Sequence, residues 1–518
     1  MSIIAILLLS FLFFISLWCS IAFLSKSKSA PVVEWPVVGM LPALLWNATT
    51  DLHGFVDRVV KESGGTFVFK GPWFAKLDFV LTSDPMNANH IFSKNFANYG
   101  KGEDFMAVFE EFFGEGIVNT DGESWKIQRQ RIHSLFNKDG FESFVMETLQ
   151  RKMEGTLFRV LGDICSSRGL GDGQVDMQDV VSRFMFDNNC MWVLGFDPGY
   201  LCVDRRLDTF SCGKAYDDFE EAAIYRLIVP RGVWEFQRRL GVGSEKKISQ
   251  SIKILDEFLY GVLKAKKQEL HKEEQRQQLD FLTQWMVADE KGESSDKFLR
   301  DFGVTLVAAG KDTMSSVLTW LLWLVAIHPE VERKILEEIE RVVVMATPGP
   351  TQREGGRLGF PIITKDEMNR LVYLHATICE TLRLYPPAPF EVRCAVEDDM
   401  LPSGHLIHKG TRILFSIYSM GKMKEIWGND CMEFKPQRWI SEQGNIIHVP
   451  SYKFLNFLAG PRSCLGKSLS FMQLKFVVSN LLWNYKFDMV EGQLVKPLAS
   501  IMLTMENGLK MRVSKRDF

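Results

Sequence analysis

Residues 457–466 read "FLAGPRSCLG", and from Gly460 the stretch continues as "GPRSCLGKS" to Ser468. Two chemistries compete for it. A phosphate-binding loop requires G-x-x-x-x-G-K-[ST], so that successive backbone N–H groups converge on one phosphate. Gly460 and Gly466 enclose five residues, one too many, and Pro461 stands where the first glycine must be. The partial match at Gly310-Lys311 fails too, because Asp312 follows the lysine and Thr305 occupies the glycine position. "GVGSEK" at 241–246 does not complete a dinucleotide fingerprint. No nucleotide site survives, and Cys464 carries the reading instead.

Cys464 opens a helical pattern through Leu465, Leu469, Met472 and Phe476. A thiolate there faces the positive end of a helix and its unbonded N–H groups, which predicts a lowered thiol pKa and a good metal donor. Written as F-x-x-G-x-R-x-C-x-G, with Phe457, Gly460, Arg462, Cys464 and Gly466 in the fixed places, the stretch resembles the haem-binding loop of the cytochrome P-450 family. The resemblance implies haem b as cofactor, with Cys464 as axial ligand to the iron and Arg462 directed at a haem propionate. Gly460 and Gly466 would then permit a tight turn and the close approach of a flat macrocycle.

Other segments fit the same family. Glu380 and Arg383 in "ETLRLYPP" resemble its E-x-x-R ion pair, and Arg438 in "FKPQRW" (434–439) resembles the third member of that network. Trp125 and Arg129 ("WKIQR") and Arg393, after "YPPAPFEV", resemble residues that reach the propionates. In "AAGKDT" (308–313), Ala309, Gly310, Asp312 and Thr313 resemble the oxygen-activation motif, with Lys311 where relatives often carry arginine. The small pair leaves room for dioxygen, Thr313 offers it a hydrogen bond, and Asp312 relays protons, so Asp312 and Thr313 are the expected catalytic residues. "LPSGH", "FKGPW" and "PSYKF" resemble the plant fatty-acid and alkane hydroxylase branch, in particular mid-chain alkane hydroxylases. By resemblance the pocket is lined by Phe105, Phe109, Phe112 and Phe113, residues 388–392 and residues 500–503.

The totals agree with this chemistry and exclude others. Lys and Arg number 61 against 64 for Asp and Glu, a net charge of -3 that gives no general reason to expect nucleic acid. Nine scattered cysteines without a C-x-x-C pair argue against a disulfide framework and a zinc knuckle, and the nine histidines form no H-E-x-x-H. With 39 Phe, 22 Met and 13 Trp the chain suits a wide apolar interior and an apolar ligand.

Ile3 to Leu24 is free of charge for 22 residues, long enough to cross a bilayer, and its basic flank, Lys26 and Lys28, follows it. That order predicts an uncleaved single-pass anchor with the remainder in the cytoplasm. The family resemblance puts this at the endoplasmic reticulum membrane. The expected organisation is an anchor over 1–25, a Pro-rich linker over 26–45 and a catalytic domain over 46–518, mainly α with small β-sheets, in the cytochrome P-450 fold. "SSDKFLRDFGVTLVAAGKDTMSSVLTWLLWLVAI" (294–327) reads as one long buried helix capped by Ser294, Ser295 or Asp296. A membrane span over 302–327 is disfavoured by Lys311 and Asp312 within it. "HPEVERKILEEIERVV" continues as an amphipathic helix, "TPGPTQREGGRLGFP" as a loop, and 262–300 as a solvated helix face followed by a surface loop.

No flavin or nicotinamide motif is present, so electrons must come from an external NADPH-cytochrome reductase docking on the Cys464 face. The expected activity is hydroxylation of a long aliphatic chain, an alkane or fatty acid. Oxidative phenol coupling of an alkaloid precursor is the alternative within the fold. A haem sensor or carrier would need Cys464 but not Asp312 and Thr313.

Overall fold

The computed structural model describes residues 31–75, 77–166, 173–202, 211–270, 279–289, 292–346 and 365–516. The expected anchor, Ile3 to Leu24, and the loop over 347–361 lie outside the described residues. The Pro-rich linker expected over 26–45 is corrected in part. Val32, Met40 and Leu44 are buried against the body, and a helix already begins at Leu41.

The principal helices follow local signals. α1 (Leu41–Thr50) starts with Pro42 in its first turn, where the missing N–H costs nothing. In α2 (Leu52–Glu62) Asp51 caps the start by accepting from Gly54 N at 2.9 Å, and Phe55, Val56, Val59 and Val60 form one buried face. Next come α3 (Glu103–Phe113), α4 (Gly122–Phe136), α5 (Met177–Leu194), α6 (Ser211–Ile228), α7 (Arg231–Leu240) and α8 (Gly243–Glu269). The long helix is α9 (Asp296–Ile327), and of the three candidate caps Ser295 is used, accepting from Phe298 N at 3.0 Å. α10 (Pro329–Ala346), α11 (Val372–Leu384) and α12 (Lys467–Asn484) complete the set. Between α8 and α9 the charged stretch is less solvated than its composition predicts. A helix over Phe281–Ala288 buries Phe281, Leu282 and Trp285, and Lys266 is buried against Asp280 at 2.8 Å.

α9 crosses the middle of the molecule. Its first half, Leu299 to Ala308, packs with Phe112 of α3, Phe219 of α6 and Leu255 and Leu259 of α8. Its second half, Met314 to Val325, joins a different core with Ile378 and Leu382 of α11 and Phe476 and Val477 of α12. Each large apolar side chain buried there contributes about 1.5–3 kcal/mol. Residues 309–313 fall at the junction of the two cores. Among the described residues no single helix is long and apolar enough to cross a membrane; α9 and α10 together are, but they meet at 107° and α9 is interior.

The strand-like runs become β1 (Thr66–Phe69), β2 (Phe79–Thr82) and β8 (Arg412–Ser416), three neighbours in a five-stranded sheet of order β1-β2-β8-β5-β3, where β3 is Tyr99–Gly100 and β5 is Phe390–Ala395. β2 runs parallel to β8, with Phe79 opposite Arg412, and β5 runs antiparallel to it, with Phe390 opposite Ser416. β3 pairs with the end of β5, Gly100 opposite Cys394, which brings Lys101 close to Glu391 and Arg393. Two smaller sheets hold the remaining strands.

The ion pair expected at Glu380 and Arg383 forms on α11, fully buried. Arg383 donates to both oxygens of Glu380 at 2.7 Å, and Arg438 approaches the same carboxylate at 3.4 Å. Trp439 Nε1 and Lys435 N also donate to it, each at 2.9 Å, while Arg383 reaches the carbonyls of Cys431 and Glu433. One carboxylate thereby ties α11 to the irregular meander over residues 431–439, which precedes the Cys464 loop.

Candidate active site

The Cys464 loop is built from two single 3₁₀ turns, Leu455–Phe457 and Gly460–Arg462, and its end is tied back by Cys464 N donating to Phe457 O at 2.8 Å. Phe457 packs on Phe471 of α12, centroids 5.4 Å apart. Gly460 has φ +65°, and a Cβ there would sit 1.8 Å from Phe92 O. The tight turn expected at Gly460 is therefore present, and the adjoining Phe92 backbone also requires that it carry no side chain. Gly466, with ordinary φ, meets nothing nearer than Cys464 Sγ and Ser470 Oγ at 3.9 Å, so the space beside the sulfur is open.

Cys464 is accessible although protein surrounds it, so its accessible surface faces an interior space. The expected lowering of its pKa is corrected. Burial raises the thiol, and the Gly466 N–H, Arg129 and Lys467 only partly oppose it. Helix-end polarity alone does not make the thiolate; a bound cation would, since a coordinated thiol loses its proton outright.

Four cations gather on one side of this loop. Trp125 on α4 is buried, with the guanidinium of Arg462 4.5 Å and that of Arg129 5.8 Å from its ring. Arg129 donates to Ser463 O at 2.8 Å, and Arg462 donates to Thr120 O at 2.7 Å and to Asp121. Arg393, 1% exposed, bonds Glu391 and Val392 O but leaves Nη2 without a partner. Lys101, unremarked in the sequence, bonds Glu391 at 2.9 Å. Burial, with Arg393 and Arg462 nearby, brings Lys101 down to about 8 despite Glu391, and burial with Arg393 brings Arg462 to about 10. Four positive groups face two carboxylates, Glu391 and Asp121. The surplus fits a ligand with two negative charges.

In α9, Ala309 is exposed at mid-helix and Thr313 is half-buried, returning its hydroxyl to Ala309 O at 2.7 Å. Gly310 lies against α5, where a Cβ would come within 1.9 Å of Asn189 Oδ1. Asp312 is buried and bonded to Lys311 at 2.5 Å. α9 also packs on α12, so the helix carrying Thr313 and the helix that follows Cys464 are neighbours.

The cytochrome P450 family model matches residues 30–511 of the chain. The chain belongs to the cytochrome P450 family. Similar proteins include noroxomaritidine synthase from Narcissus aff. pseudonarcissus MK-2014, 38% identical over 95% of this chain and 93% of that one. Cytochrome P450 86B1 from Arabidopsis thaliana is 36% identical over 98% and 90% of the two chains. Alkane hydroxylase MAH1 from the same plant is 35% identical over 98% of both.

This P450 is thus an oxidoreductase whose family cofactor is haem with thiolate-bonded iron. Its residues fit such a group: an accessible sulfur with open space beside it, surplus buried cations and an unpartnered Arg393 Nη2. A cavity of about 370 Å³, lined by Phe105, Val108, Phe109, Phe390, Val392 and Ile501 among others, meets the cation cluster at Glu391, although neither the Cys464 loop nor α9 contributes to its lining. Of the residues expected to line it, Phe105, Phe109, Phe390, Glu391, Val392 and Ile501 do, whereas Phe112, Phe113, Ala388, Pro389, Ser500, Met502 and Leu503 do not. Phe112 stacks on Phe219 at 4.0 Å, and Leu503 O accepts from Ser316 and Trp320.

Proposed function

We propose that this P450 hydroxylates a long aliphatic chain, an alkane or fatty acid, taking electrons from a membrane-bound NADPH-cytochrome reductase. In this reading Cys464 would bind the haem iron through its sulfur, and Arg129, Arg393 and Arg462, with Trp125 packed against two of them, would hold the propionates. Bound haem supplies dioxygen activation: one oxygen atom enters a C–H bond and the other leaves as water, consuming two electrons and two protons. The chain's own residues supply the surroundings. Ala309 leaves room, whereas Gly310, expected to do the same, instead admits the close approach of Asn189 on α5; Thr313 orients a hydrogen bond, and Asp312 passes protons toward it.

The observation that carries the substrate reading is the cavity lining, mainly apolar from Leu44, Leu52 and Phe55 to Ile501, with Asp104, Arg226, Arg231, Glu391 and Arg412 as its charged members. Elements around its mouth expose Trp46, Trp73, Phe74, Phe236 and Leu240, which supports entry from a bilayer surface. It also supports the anchor at Ile3 to Leu24, an endoplasmic reticulum location and a cytoplasmic catalytic body that already includes Val32, Met40 and Leu44. The second reading, phenol coupling of an alkaloid precursor, is favoured by seven phenylalanines in that lining and by the likeness to noroxomaritidine synthase. Product analysis separates the two. The haem-loaded chain with reductase and NADPH, given hexadecanoic acid, a long n-alkane and a diphenolic secondary amine, is expected to yield hydroxylated alkyl products. Turnover of the phenolic amine alone would overturn the aliphatic reading.

A further inference from the structure

Asp312 does not stand alone. α6 brings Asp217 and Glu220 against it, and one oxygen of each of the three carboxyls lies within 4.8 Å of the others. Lys311, fully buried, bonds Asp217 and, at 2.5 Å, Asp312 Oδ1. Glu220 is 6% exposed and Asp312 is 5%, whereas the Asp217 side chain is 53% accessible, its accessible surface facing an interior space as at Cys464, and burial outweighs Lys311 to raise its carboxyl too. Three carboxylates around one ammonium leave negative charge in a place where water cannot screen it, and a protein relieves that by retaining a proton. The position for this proton is marked by Asp312 Oδ2, buried and without a donor. Two ionised carboxylates cannot satisfy each other; one carboxylic acid facing one carboxylate can. Burial, with the Asp312 charge adding and Lys311 opposing, holds Glu220 well above the usual carboxyl range.

We propose that Glu220 is a proton carrier for the monooxygenase reaction, a carboxylic acid hydrogen-bonded to Asp312 that replaces each proton Asp312 gives up and is recharged from water at Asp217. The proposal rests on the reading that Asp312 passes protons toward Thr313. In the step, the O–H bond on Glu220 breaks as one forms on Asp312, and the Glu220 carboxylate then takes a proton from the Asp217 side. Two such transfers match the two protons consumed with each oxygen molecule. Other titratable and charged groups surround the pair. On α6 they are Cys212, Tyr216 and Asp218; Cys212 is pushed up to about 12 by burial, and burial also holds the Tyr216 phenol neutral. Cys190 of α5, raised by burial, lies behind them. Lys247 of α8 is bonded to Asp218 and Glu221, and Arg300 of α9 is bonded to Asp256 and Asp301. Lys311 is the cation in direct contact with the cluster.

Infrared spectroscopy of the haem-loaded full chain tests the proton itself. The wild type is expected to show a protonated-carboxyl C=O stretch, sensitive to D2O, that vanishes in Glu220→Gln; its absence from the wild type, or its survival in the variant, overturns the proposal. In reductase-driven NADPH oxidation with hexadecanoic acid present, Glu220→Gln should be on the order of tenfold slower. Its solvent deuterium isotope effect should rise while its ferrous–carbonyl spectrum stays unchanged, and Glu220→Asp should regain most of the rate. An unchanged rate and isotope effect overturn the proposal. Should Glu220→Gln fail to load haem, the wild-type band and its loss in Glu220→Asp or shift in that variant decide the matter, an unaltered band counting against. Asp312→Asn separates the two levels. If it slows oxidation while Glu220→Gln does not, Glu220 fails and Asp312 stands; if Asp312→Asn runs as wild type, the underlying reading fails and takes the proposal with it.

Discussion

Single atoms decide several roles here. At Gly310 an added Cβ would sit 1.9 Å from Asn189 Oδ1, and that side chain is buried and pinned by its Nδ2 donating to Met185 O at 2.6 Å. Gly310→Ala should therefore destabilise the protein by about 1–3 kcal/mol despite the better helix propensity of alanine, read as a lowered midpoint in denaturant. A neutral or stabilised variant would contradict the packing. Glu391 is governed by charge. Burial raises it, but Arg393 and Lys101 outweigh burial and hold it down to about 2. With its folded pKa below the unfolded value, its contribution is complete above about pH 4.3 and is lost as pH falls through about 2, a span on the order of 2–3 kcal/mol. Glu391→Gln should flatten the pH dependence of stability in that acid window and leave its shape near neutrality unaltered; equal acid slopes in the two proteins would refute the assignment.

At the scale of elements, the buried carboxylate of Glu380 joins α11 to the meander before the Cys464 loop through Arg383, Arg438, Trp439 and the Lys435 backbone. Removing one partner leaves the others charged and dry. Arg383→Ala is expected to cost about 3–5 kcal/mol and to reduce haem retention, measured by unfolding and by the Soret absorbance per chain. Stability within 1 kcal/mol of wild type, roughly the value of an exposed pair, would show that the network is dispensable. The two arginines and the glutamate were legible in the sequence because their spacing is a motif, as were α9 and its serine cap. The helix over Phe281–Ala288 was not, because the charged residues around it masked a short apolar face that only tertiary packing selects. The thiol of Cys464 was misread for a related reason. Helix-end polarity is visible in sequence, whereas the burial that outweighs it belongs to the fold.

For the molecule as a whole, the sequence located the loop, the long helix and most of the cation wall. It could not pair Lys101 with Glu391, or Glu220 with Asp312, because those contacts join positions 290 and 92 residues apart with no motif between them. What unites the two apolar cores, the surplus of positive charge and the open space beside Gly466 is a sulfur available to iron at their meeting place. The ferrous–carbon monoxide spectrum of the haem-loaded full chain tests that most directly. The wild type should show the long-wavelength Soret band that gives the family its name, and Cys464→Ser should lose it. A variant that kept the band would contradict the account.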